Sequence, residues 1–365
     1  SLKTDSRISL PDTAQDRYYV AMKIIFRNTL TMFCLALTLF TGHAASQSTS
    51  SSVDPLQAVP TTREIVHISG DLNRVQNGAH YTVYLVTSKG IILADPLSTD
   101  FAMWLKVELA NRYDVPVRYV LYSHHHFDHA SGAHVFDDTA TLVGHKNFPS
   151  ARKRSIENWP VQVILNDKNS NGSLDRIEAT GLALARFDLL DINRDDMLSS
   201  AEIHVQVSLP EVYYEKKMSI TLGDKTVELM HPGSNHTEDS SVLFFPEERV
   251  IYGVDFVNVG RLAIAFPGTG TLQGWIESIK NVEALNFNIV TPGHSSVGTK
   301  KEFTAYREYF EELRITINQA VENGTSLEEL IASDALVGYN DLPNYMPWRD
   351  INIEKAYELA RSENN

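Results

Sequence analysis

Short apolar runs, each closed by a turn signal, fill residues 61–149. Residues 64–68, 80–86 and 91–94 alternate or concentrate β-branched and aromatic side chains, and they predict three strands separated by Gly and Asn turns. Between Asp95-Pro96 and Tyr113 the period changes. Phe101, Trp104, Leu105 and Leu109 share one face while Lys106 and Glu108 lie off it, which predicts a helix over 101–113. Residues 117–122 then read as a buried strand, and 130–136 as the opening of a helix. Further along, 219–222 and 226–230 predict a hairpin around Gly223-Asp224. Residues 242–245 and 249–252 add two strands, 272–285 a helix, and 288–290 a run leading into Pro292-Gly293-His294. Short helices are expected at 327–331 and 351–360, with Tyr339, Tyr345 and Trp348 between them covering the core. Strands that give way to a strand–helix–strand alternation predict a layered α/β protein.

Composition narrows the classes. The chain of 365 residues is 43% apolar and 21% charged, ordinary for a globular protein with ample material for a core. A formal net charge of -14 argues against a nucleic-acid surface and against non-specific binding to anionic membranes. Oligomeric state leaves no mark in the sequence.

The N-terminal segment carries an address. Met22 is followed by Lys23 and Arg27, an apolar stretch over 30–40, and the small-residue ending Thr41-Gly42-His43-Ala44. This is the shape of a secretory signal, too short in its core for a membrane anchor. Residues 1–21 are therefore expected to be upstream translation, 22–44 a signal peptide, and 45–60 a Ser/Thr/Gln-rich linker. The one cysteine, Cys34, falls inside the signal. The exported chain, periplasmic or extracellular, would then hold neither disulfides nor thiolate ligands.

Chemistry concentrates in Ser123-His124-His125-His126-Phe127-Asp128-His129, where four of the thirteen histidines and an aspartate stand within seven residues. The pattern H-x-H-x-D-H at the end of a predicted strand suits zinc or a similar divalent ion, and its density suits two interleaved ion sites. His236, Asp255 and His294 each follow a later predicted strand and are further ligand candidates. His67, His80, His125, His134, His145 and His231 read as strand, loop or supporting residues, with His145 the first to reconsider.

These motifs, taken in order with Asp95, resemble the metallo-β-lactamase fold superfamily over residues 61–325, apart from an insertion. The resemblance implies an αββα sandwich with its core split into 61–149 and 208–325, and a helical tail over 326–365. It implies a dinuclear zinc site, with iron or manganese compatible with the same ligands. His124, His126 and His236 would hold one ion; Asp128, His129 and His294 the other; Asp255 and a hydroxide would bridge them. Asp128 and Asp255 would carry the catalysis, and Asp95 would orient a ligand histidine through its free ring nitrogen. True β-lactamases of this fold carry Cys or Ser near the position of Asp255, whereas thioesterases and lactonases use a bridging aspartate. Lactonases of the quorum-quenching type place a tyrosine shortly after it, where this chain has Asn258.

The insertion, 150–207, has a pattern of its own. Residues 167–178 fit the calcium-loop spacing, with Asp167, Asn169, Asn171, the Ser173 carbonyl and Glu178 as ligands and Asp175 acting through water. Residues 191–202 repeat it with Asp191, Asn193, Asp195, the Met197 carbonyl and Glu202, and Asp196 takes the place of the turn glycine Gly172. An EF-hand pair stabilised by calcium is the expectation. The reading is an exported dinuclear zinc hydrolase of a small ester, lactone, thioester or amide. A class B-like β-lactamase and a calcium-responsive binding protein on an inactive core are the alternatives.

Overall fold

The computed structural model describes residues 62–363, apart from 158–165, 181–182, 185, 264–265 and 267. The expected upstream segment, signal peptide and linker lie outside the described residues. Among the described residues no helix is long and apolar enough to cross a membrane.

Two sheets form the centre. The first runs antiparallel through β1 (Arg63–Ser69), β2 (Leu72–Asn77), β3 (His80–Thr87) and β4 (Gly90–Ala94). It continues in parallel with β5 (Val117–Leu121) and β6 (Thr141–His145). After the insertion's short β7 (Leu174–Asp175) and β8 (Met197–Leu198), β9 (Val212–Tyr214) rejoins this sheet beside β6. The second sheet has the order β10 (Lys217–Leu222), β11 (Lys225–Met230), β12 (Val242–Phe245), β13 (Val250–Val254), β14 (Ile289–Pro292), β15 (Gly298–Thr299).

Burial shows why the sheets stack. Leu85, Ile92 and Leu121 of the first sheet meet Val227, Leu229, Leu243 and Tyr252 of the second in one dry layer. On the far face of the first sheet, Tyr84, Leu93 and Val120 pack against Phe101, Leu105 and Leu109 of the helix Thr99–Arg112. On the far face of the second, Phe244, Ile251 and Val290 receive Trp275 and Ile279 of Leu272–Glu283, and Phe310 of Lys300–Glu322. The layers are α, β, β, α, the expected sandwich. Capping boxes start the layer helix Lys300–Glu322 (Thr299 with Glu302) and the first helix of the tail, Leu327–Ala332 (Ser326 with Glu329).

The pattern predicts neither β2, β6 and β9 nor the two-residue strands β7, β8 and β15, and β2 shows one reason. In β2, Leu72 and Val75 are buried, but so is Arg74, whose guanidinium stacks 3.6 Å from the Tyr81 ring centroid and donates to the Pro292 carbonyl. A buried arginine breaks the apolar alternation that marks a strand, so the segment reads as a turn. The tail helix is also longer than expected, Tyr345–Glu363 with a non-helical break at Met346.

Candidate metal centre

The site forms where strands of both sheets end. β4 delivers Asp95, β5 the histidine run, β11 the loop with His236, β13 Asp255 and β14 His294. At the end of β5 the chain is pinned at once. The Ser123 amide donates to Asp95 Oδ1 (2.7 Å), and the Ser123 hydroxyl to Asp95 Oδ2 (2.6 Å). The Tyr252 hydroxyl, from the other sheet, donates to that same oxygen (2.9 Å). Extended backbone through His126 (φ -61, ψ 140) then turns into a four-residue helix, Phe127–Ala130. Asp128 and His129 thus come from a helical turn that begins earlier than the expected 130.

Two groups of donors result. His124, His126, His236 and Asp255 offer ligand atoms within 4.8 Å of one another, and so do Asp128, His129, Asp255 and His294. Asp255 belongs to both. Its Oδ2 lies 3.7 Å from His124 Nε2 and 3.5 Å from His236 Nε2. Its Oδ1 lies 3.2 Å from His129 Nε2 and 3.0 Å from His294 Nε2. Each carboxylate oxygen therefore faces one group.

The donor set fits divalent ions. His124 Nδ1 is taken by the Ser123 hydroxyl at 2.9 Å, while its Nε2 is buried and has no hydrogen-bond partner. Leaving a buried polar atom in that state costs about 1–3 kcal/mol, which an ion at that point removes. Imidazole nitrogens also face one another, His126 Nδ1 to His236 Nε2 at 3.1 Å and His129 Nε2 to His294 Nε2 at 3.0 Å. Facing nitrogens in histidine–carboxylate groups are the arrangement expected of zinc-type ligands.

Charge differs between the groups. Burial, with neighbouring imidazoles, holds His124 and His126 well below the ordinary histidine value, and burial lowers His236 as well. Burial acts in the same sense on His129 and His294, but Asp255 and Asp128 outweigh it and lift them to about 9 and about 10. Burial pushes Asp95 up to about 6 against the pull of His129, Ser123 and Tyr252.

Asp95 was expected to orient a ligand histidine. It stands 3.6 Å from His129 Nδ1 and reaches His124 through the Ser123 hydroxyl. Asp95→Ala should weaken zinc binding about 10–100-fold while the ligands themselves stay in place, checked by competition with a chromophoric chelator. Unchanged affinity would remove Asp95 from the site.

His80, read as a strand, loop or supporting residue, stands beside the second group. His80 Nε2 is 3.3 Å from Asp128 Oδ2, and its ring stands edge-on to His294 at 4.6 Å. Nothing marks it in the sequence, because it opens a strand like any polar first residue. His145, held in reserve, instead stacks on His231 at 4.2 Å and meets the Glu215 carbonyl through Nε2. His67 bonds to the Gly70 carbonyl and His134 to that of Ser131.

The insertion's two loops follow the same backbone course. Positive φ recurs at Ser170 and Gly172, and at Arg194 and Asp196. Glu178 Oε1 accepts from the Lys168 and Asn169 amides, and Glu202 Oε1 from those of Ile192 and Asn193. Asp167 accepts from the Asn171 and Gly172 amides, and Asp191 from those of Asp195 and Asp196. Leu174 pairs with Leu198 between β7 and β8. Their acidic side chains are taken up by amides and, among the described residues, form no group of three ligands like the two above. The second loop is flanked only by short helices, Phe187–Leu190 and Ser200–His204, so no full helix–loop–helix is evident among the described residues.

The sandwich and its two histidine–aspartate groups place the chain in the metallo-β-lactamase class of fold, with a candidate metal site of two ligand groups. The family described as "Metallo-beta-lactamase superfamily" matches residues 77–294, more than half of the chain, and the chain belongs to it. It is similar to the metallo-beta-lactamase type 2 of Bacillus sp. (strain 170), 33% identical over 90 residues, 22% of this chain and 33% of that one. The chain thus spans a third of that relative's length. It is 24% identical over 228 residues to the metallo-beta-lactamase type 2 of Elizabethkingia meningoseptica, covering 60% of this chain and 71% of that one. The solved stereoselective inverting sec-alkylsulfatase Pisa1 from Pseudomonas sp. superposes with a TM-score of 0.58 at 15% identity, over 81% of this chain and 50% of that one.

Proposed function

We propose that the chain is an exported hydrolase of a small ester, lactone, thioester or amide, working with two zinc ions. The observation that carries this is Asp255, each of whose oxygens faces one ligand group. In this reading His124, His126 and His236 hold one ion, Asp128, His129 and His294 the other, and Asp255 both. Two such ions, when bound, supply an activated water and a Lewis acid for the substrate's oxygen. The chain's own part is orientation and access. His124 and His129 are buried, whereas His126 of one group and Asp128 and His294 of the other are half-buried, so both groups are open to substrate there. Asp128, on that open side, is placed to pass a proton to the leaving group. The leader-like residues 22–44 support export.

The test is turnover by the zinc-loaded chain against a γ-lactone, an aryl ester, a glutathione thioester, a sulfate ester and a cephalosporin. Chelator-sensitive turnover of one carboxylic acid derivative well above the rest is the expected result. A preference for the cephalosporin would favour the β-lactamase reading, and for the sulfate ester a sulfatase. Silence across the panel with no bound zinc would favour a binding protein on an inactive core.

For the insertion, the reading is a calcium-stapled pair of loops, supported by their matching hydrogen bonds and by the Leu174–Leu198 pairing. Calcium should protect 150–207 from limited proteolysis at least several-fold. Equal cutting with calcium and with chelator would refute it.

A further inference from the structure

The metal run carries two sets of side chains. His124, His126, Asp128 and His129 supply the ligand groups, while His125 and Phe127, on either side of His126, make other contacts. His125 Nδ1 is 2.9 Å from the buried Asp239 carboxylate, and its Nε2 is 2.7 Å from the Ser155 hydroxyl. The Ser155 carbonyl in turn accepts from the Ser200 hydroxyl, in the helix that follows the insertion's second loop. Phe127 packs against the insertion's own small core, which includes Leu174, Phe187, Leu198 and Ile203. Its ring also stands edge-on to His204 at 5.9 Å. The insertion therefore grips the run at two points, with a ligand between them.

We propose that Phe127 is a positioning residue through which the packing of the insertion sets the zinc affinity of the dinuclear centre. This rests on the reading of the two groups as zinc sites. The helix Phe127–Ala130 that carries Asp128 and His129 is a single turn, and a single turn has little stability of its own. Its direction comes from what it packs on: Ala130 sits in the first sheet's outer core, the His129 carbonyl accepts from the Leu97 amide, and Phe127 bridges that core and the insertion. A ligand turned away from its ion costs affinity on the scale seen when the residues behind a ligand are lost, about 10–100-fold.

The experiment measures zinc affinity on the full chain, by competition with a chromophoric chelator and by the cobalt(II) spectrum, alongside a thermal melt. The variants are Phe127→Ala, Phe187→Ala and the double substitution. Each single change should weaken binding about 10-fold or more at the group holding Asp128 and His129. The double should lose less than the sum of the two singles, because both loosen the same small core. Phe127→Leu should recover most of the affinity. If Phe187→Ala unfolds the whole chain, Phe187→Leu takes its place and should weaken binding less but in the same direction. Wild-type affinity in all variants, or losses that simply add, would overturn the coupling while leaving the zinc sites standing. A wild-type chain that binds no zinc would overturn both.

Discussion

Asp255→Ala should empty both ion positions at once. Bound zinc should fall from two per chain to well below one, and hydrolysis by on the order of 10³-fold, the scale on which lost electrostatic stabilisation of a transition state is felt. The reason lies in the two faces of one carboxylate. Oδ2 approaches His124 and His236, and Oδ1 approaches His129 and His294, and among the described residues Asp255 alone belongs to both groups. Removing it also sets like charges against one another, since Asp255 is the charge that does most to offset the burial of His129 and His294. His236→Ala is the contrast, because it strips one group and leaves the other intact. Elemental analysis of the two variants, folded as judged by their melts, separates the cases. Equal metal loss from both would deny Asp255 its shared position.

Acidification should remove the ions in order. An ion that binds at His129 and His294 displaces protons from imidazoles with values of about 9 and about 10. Affinity there should fall about tenfold per pH unit for each proton displaced, across the whole range below 9. His124, His126 and His236 are held below the ordinary histidine value and are already neutral near pH 7, so an ion in their group competes with no proton there. Dialysis from pH 8 to pH 5.5 at fixed free zinc should thus pass through a one-ion state. That ion should keep the cobalt spectrum of a three-histidine group. Loss of both ions in parallel would show that the charge difference between the groups does not govern binding.

Much of this was legible in the sequence for identifiable reasons. A layered α/β class follows from apolar runs such as 91–94 and 242–245, which stay apolar because both faces are buried, while the sandwich itself was implied by the family resemblance. The ligand run is compact enough to be seen without any fold. His236, Asp255 and His294 could be singled out only because each follows a strand, and the structure then gathers them from three separate loops. What escaped was burial of the wrong kind. Arg74 hid β2 by being inside, and His80 looked like any strand-opening polar residue until β3 set it beside Asp128. The calcium-type loops were read from spacing alone, and spacing does not say whether carboxylates turn to an ion or to backbone amides.

Of the two groups, each draws on both sheets: the histidine run leaves the first, while His236, Asp255 and His294 leave the second. Bound ions would therefore act as a cross-link between two halves of the chain, added to their apolar packing and to hydrogen bonds such as Tyr252 to Asp95 and Arg74 to the Pro292 carbonyl. Such a cross-link exists only in the assembled molecule, so each ion bound draws the equilibrium toward the assembled state by mass action. Metal supply would then govern how long the protein survives, and not only how fast it works. A chain starved of zinc would be lost to proteolysis before it was ever counted as an inactive enzyme.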